Sequence, residues 1–119
     1  MTTRPFILTA QDRIRLRNKV LRSLGKGRSN AIRGKDLAHQ LGERDDRKIR
    51  LVIRELISEG VPVASAVSEP MGFYIVANEY EAADYIRVLK ERIKEDSARL
   101  QDFEKAVSNL NIPEQGALW

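Results

Sequence analysis

Apolar positions recur along the chain at two different periods, and the change between them orders the elements. Ile14, Leu21 and Leu24 return at helical spacing, and Leu16 and Val20 widen the face, so a first helix is expected to end near Leu24. Thr9-Ala10-Gln11-Asp12 opens it with the shape of a capping box: the Thr9 hydroxyl accepts from a first-turn N–H and Asp12 reaches back. Gly25 and Gly27 stop this helix and open a loop to Asn30, followed by a short extended piece, Ala31-Ile32-Arg33. A compact helix is expected from Lys35 to Leu41, with Leu37, Ala38 and Leu41 on its buried side and Gly42 at its end. A longer helix, capped by Asp45 or Asp46, runs to about Glu59 and stops at Gly60. Ile49, Val52, Ile53 and Leu56 give it a 3-4-7 stripe.

After Gly60 the pattern turns to β-branched and aromatic residues. Two strands, within 61–66 and 72–77, are expected to pair as a hairpin through Val67-Ser68-Glu69-Pro70-Met71. Pro62 has no N–H for a ladder, so the first strand lies at an edge or starts late. Asn78-Glu79-Tyr80-Glu81 is a second capping-box shape, and from there to Leu110 the chain has neither Gly nor Pro. Ile86, Leu89, Ile93, Leu100, Phe103, Val107 and Leu110 occupy a and d positions of one heptad register, broken only by Asp96. Pro113 blocks further helix. The organisation expected is a tail over 1–8, a folded domain over 9–78, a long helix over 79–111 and a tail over 112–119.

Composition narrows the class. The chain has 119 residues, no cysteine and one histidine, which leaves no disulfide scaffold, thiol chemistry or ordinary zinc site. No apolar run approaches the roughly 18 residues of a membrane span, and the apolar stretch near the N-terminus is short for a signal peptide, so a cytoplasmic protein is expected. The net charge of +4 conceals an asymmetry: residues 1–60 carry +8 and residues 61–119 carry −4. A basic half joined to an acidic half suggests that the first half faces a polyanion. Solvated helix surfaces are the plainer explanation of the same charges.

Helix, short strand, helix, turn, helix, hairpin, long helix is the element order of a winged helix-turn-helix domain. The resemblance is carried by Ile32-Arg33-Gly34-Lys35-Asp36-Leu37-Ala38, Leu41-Gly42, Arg47-Lys48-Ile49-Arg50, Ile53-Arg54-Glu55-Leu56 and Glu59-Gly60-Val61-Pro62-Val63. The chain resembles the DNA-binding domains of biotin-repressor-type regulators. It is more closely similar to small winged-helix proteins of phages and Gram-positive bacteria with a long C-terminal helix. The resemblance spans about residues 10–80 and implies an α+β fold, mostly α, with a two-stranded wing. It implies double-stranded DNA as partner, read by the third helix in the major groove, in a transcriptional regulator or a phage-type replication or control factor. Winged helices also serve as protein-binding modules, so a non-enzymatic interaction adaptor is the alternative.

Helical geometry sorts the third helix's side chains. With Ile49, Val52, Ile53 and Leu56 inward, Arg47, Leu51, Arg54 and Ser58 point outward and Arg50 and Lys48 flank them. Arg47, Arg50, Leu51 and Arg54 are the expected base readers, since arginine pairs bidentately with guanine and leucine meets a thymine methyl. Leu51 equally suits a protein interface. Arg28, Ser29, Arg33, Lys35, Arg44 and Lys48, at loops and helix starts, are the expected phosphate contacts. One feature departs from the pattern: no Lys or Arg lies between Arg54 and Arg87, so the hairpin has no cation of its own. The heptad seam predicts a homodimer through the long helix. Arg99 and Glu104 would pair across a parallel form, while the antiparallel form stays open, and packing of the helix's first half on the domain is compatible with either. Catalysis, metal and cofactor find no residue set: His39 stands alone, Asp45 and Asp46 are explained as caps, and Gly25-Lys26-Gly27-Arg28-Ser29 lacks phosphate-loop spacing.

Overall fold

The computed structural model describes residues 9–110. The chain divides into two compact units, the first reaching Tyr85 and the second beginning at Ile86. The tails expected over 1–8 and 112–119, with Pro113, lie outside the described residues.

Helix α1, Ala10–Ser23, starts where the capping box places it, Thr9 Oγ1 accepting from the Asp12 N–H at 3.0 Å. It buries Leu16 and Val20, and Leu24 at its C-terminal cap is buried too. The sequence pattern expects Ile14 on that face, but Ile14 is 58% exposed. At 3.6 residues per turn it stands about 120° around the helix from Val20, so the core line is Leu16, Val20, Leu24. Helix α2, Gly34–Gln40, buries Leu37 and Ala38. Helix α3, Arg47–Ser58, buries the expected stripe, with Ile49 and Leu56 at 0% exposure. Each such side chain contributes about 1.5–3 kcal/mol when removed from water. The three helices close one apolar core, which Val63 joins from the hairpin. Among the described residues, no polar or charged one is buried in it.

Strands β1, Val63–Ala66, and β2, Gly72–Ile75, pair antiparallel with Val63 opposite Ile75 and Ala66 opposite Gly72. β1 starts after Pro62, whose carbonyl accepts from the Val76 N–H at 3.0 Å. The free edge of β2 is taken by the segment before α2. Ile32 and Phe73 exchange both backbone bonds, at 3.0 and 2.7 Å, and Ile75 bonds to Gly25 and Gly27. This joint depends on Gly72, which has φ +122° and would drive any Cβ into the Ile32 carbonyl group. Only a residue without Cβ fits both constraints.

Helix α4, Glu79–Asn109, is started by Asn78, whose Oδ1 accepts from the Glu81 N–H at 2.9 Å, while Glu81 Oε1 accepts from the Ala77 N–H at 2.9 Å. Three helices, a two-stranded antiparallel sheet and a long last helix are compatible with the winged-helix layout. In the second unit the heptad positions are open. Ile86, Leu89, Ile93, Leu100, Phe103 and Leu110 are exposed and Val107 is half-buried.

Candidate nucleic-acid interface

The outward face of α3 follows from its buried one. Arg47, Leu51, Arg54 and Ser58 are all exposed, Leu51 by 56%. The helix is not uniformly basic: its one acid, Glu55, and the C-terminal cap Glu59 both reach arginines of α1. Glu55 is paired with Arg13, and Glu59 Oε1 accepts from Arg17 Nε at 2.9 Å, both arginines coming from α1. Half-exposed pairs of this kind are worth about 0–1 kcal/mol each. They draw the Glu55 and Glu59 carboxylates toward α1, while Arg47 and Arg54 are exposed. Asp46 occupies the N-cap position of α3 without a side-chain cap bond, and the Arg47 amide is instead held by Asp45 Oδ1 at 3.0 Å.

Arg50 sits at the margin of this face. Its Nε donates to Asp46 Oδ2 at 2.9 Å and its guanidinium lies 5.6 Å from the Phe73 ring centre. Arg50, Ile53, Arg54, Ile57, Ser58 and Phe73 line an open, mostly apolar groove of about 510 Å³ between α3 and β2. Of the residues expected to meet phosphate, Ser29, Lys35 and Arg44 are exposed, and their side chains have no hydrogen-bond or ion-pair partner among the described residues. Arg33 is bonded to Asp36 Oδ2 at 2.9 Å, and Lys48 stands 3.7 Å from Glu43 Oε1.

Arg28 has a role its sequence context does not announce. Its Nη1 donates to the Pro70 carbonyl at 2.7 Å and its Nη2 to the Ser68 carbonyl at 2.8 Å. The guanidinium also lies 5.9 Å from the Tyr74 ring centre. The hairpin turn, which has no Lys or Arg of its own, therefore carries a cation delivered from 40 residues earlier. Below it, the Arg28 amide donates to Glu81 Oε2 at 2.8 Å. Two backbone N–H groups, of Arg28 and Ala77, thus hold the Glu81 carboxyl below its ordinary range. Burial pushes the Tyr74 hydroxyl up, and nearby Glu81 adds to it. Sequence reasoning finds the Asn78 cap on the Glu81 amide but misses both partners of the Glu81 carboxylate, the Ala77 and Arg28 amides. The pairings of Arg13 and Arg17 are likewise unsignalled, since each spans 42 residues.

No helix of the described residues is long and apolar enough to cross a membrane, and among them no three metal-ligating side chains come together. No protein-family model, curated protein or solved structure matches the chain.

Proposed function

We propose that the chain is a winged-helix protein that binds double-stranded DNA with α3 in the major groove and acts as a homodimer through a coiled coil of its last helix. The observation carrying this reading is the one-sided chemistry of α3. Its apolar stripe is buried, its glutamates are paired toward α1, and Arg47, Leu51 and Arg54 share the open face. A major groove about 12 Å wide admits such a helix, and guanidinium groups match guanine edges. Arg50, held by Asp46 and Phe73, borders the face as a pre-oriented donor. Lys35, Arg44, Ser29, Arg33 and Lys48 supply phosphate contacts around it, and Arg28 gives the hairpin turn its charge.

The test is anisotropy titration of a mixed-sequence duplex of about 30 base pairs at salt from about 50 to 200 mM. About five phosphate contacts give a log–log slope near −4 to −5. Arg47→Ala with Arg54→Ala weakens binding to the preferred site at least about tenfold, on roughly 1–3 kcal/mol per bidentate base contact. Unchanged affinity in that variant removes α3 from the interface. The groove beside Phe73 favours a second reading, a protein-docking module anchored on Ile57 and Leu51. Absence of duplex binding at the lowest salt, with a partner retained by the double variant, selects it.

A further inference from the structure

We infer that the second copy of the chain lies antiparallel along residues 86–110, with each Asp96 facing the partner's Arg99. This rests on the dimer part of the function proposed above. The seam is apolar at every a and d position except Asp96, and its side chains are open: Ile93 is 66% exposed, Leu100 58% and Phe103 63%. A second copy matches it in length and period, because a heptad seam packs knobs into holes against another of the same repeat. Charge then decides the direction.

In a parallel pair like positions meet. Asp96 faces the partner's Asp96 in a layer bounded by Ile93 and Leu100, with Ser97 alongside and each carboxylate's own solvent-exposed Arg99 as its nearest cation, at 3.6 Å. Two carboxylates in such contact cannot both stay ionised without a large penalty. Arg99 reaching the partner's Glu104 lies on the rim and is solvated, so it offsets little of that.

In an antiparallel pair a positions meet d positions. One register uses the whole seam: Ile86 with the partner's Leu110, Leu89 with the partner's Val107, Ile93 with the partner's Phe103, and Asp96 with the partner's Leu100. Positions d and g share a flank in this arrangement, which sets Asp96 level with the partner's Arg99. Asp96 Oδ1 already stands 3.6 Å from its own Arg99 Nη1, with both side chains open to solvent, so the pair is available for a second copy to complete. Around the dyad, two carboxylates and two guanidinium groups alternate. The approach of the two Arg99 side chains is cancelled by the Asp96 groups between them. This direction also sets the two Ile86 residues about 36 Å apart, where a parallel pair holds them side by side.

The chain has no cysteine, so introduced thiols report the pairing directly. Leu89→Cys and Val107→Cys are made separately in the full chain and oxidised singly and as an equimolar mixture. In the antiparallel register the thiol introduced at position 89 meets only the one introduced at position 107 of the other copy. Like thiols stand about 27 Å apart, far beyond disulfide reach. The mixture then forms at least about tenfold more covalent dimer than either variant alone. Leu89→Cys crosslinking by itself as well as the mixture does overturns the proposal. A monomer by sedimentation, with no crosslink in any sample, overturns it as well. The duplex titration is run on the unoxidised wild type, so absence of DNA binding with heterotypic crosslinking intact rejects the DNA reading and leaves the antiparallel pair standing.

Discussion

The two units of this chain use their apolar residues in opposite ways. The first gathers Leu16, Val20, Leu37, Ile49, Val52, Ile53 and Leu56 from three helices into one core and needs no outside surface to do so. The second is a helical segment in which no described residue is buried. Apolar stripes of similar regularity therefore carry different information. The buried stripe specifies a fold, whereas the described stripe of the second unit is exposed, and single helices draw most of their stability from packing rather than from propensity.

That contrast can be broken in order of expected effect. Leu56→Ala, at a fully buried site, costs the first unit about 2–5 kcal/mol and lowers its calorimetric Tm by more than about 10 °C. Phe103→Glu does the converse: self-association measured by sedimentation weakens, and the melting of the first unit stays where it was. Arg28→Ala removes the guanidinium that grips the Ser68 and Pro70 carbonyls, costing about 1 kcal/mol. Amide hydrogen exchange in the hairpin strands then accelerates several-fold, while exchange in the core of α3 changes less. Glu81→Gln has the smallest effect at neutral pH and a distinct pH signature. Because the folded carboxyl titrates below its ordinary value of 4.5, the stability it contributes is complete above that value and is lost as pH falls through the lowered one. Glu81→Gln removes that part of the acid limb, seen as a shallower fall of Tm from neutral to acid pH.

How much of this is legible in the sequence depends on whether the determining contact is local. The stripe of α3, its outward arginines and the forward bond of both caps follow from spacings of three and four residues; the return bond does not, since the Glu81 carboxylate goes to the Ala77 and Arg28 amides. Ile14 is misplaced by the pattern because the apolar residues of α1 spread over roughly 160° of its circumference, and the neighbouring helices choose which part of that sector is buried. Arg28 is unreadable for a stronger reason. A loop arginine beside Ser29 looks like a phosphate ligand, and nothing near it reveals that two carbonyls of a distant turn occupy its donors. Arg50 lies between these cases: Asp46 is four residues away and readable, whereas Phe73 reaches it only through the fold.

Gly72 sets the terms on which this chain can diverge. Its backbone is pressed against the Ile32 carbonyl in a conformation that side chains resist, so every descendant retaining the joint between hairpin and helices retains glycine there. Arg47, Leu51 and Arg54 bear no such constraint, since they stand on the open face of α3, outside the core. Lineages of this protein are therefore free to change the outward side chains of α3 while inheriting that glycine unaltered, and it is the position by which remote kin can be known.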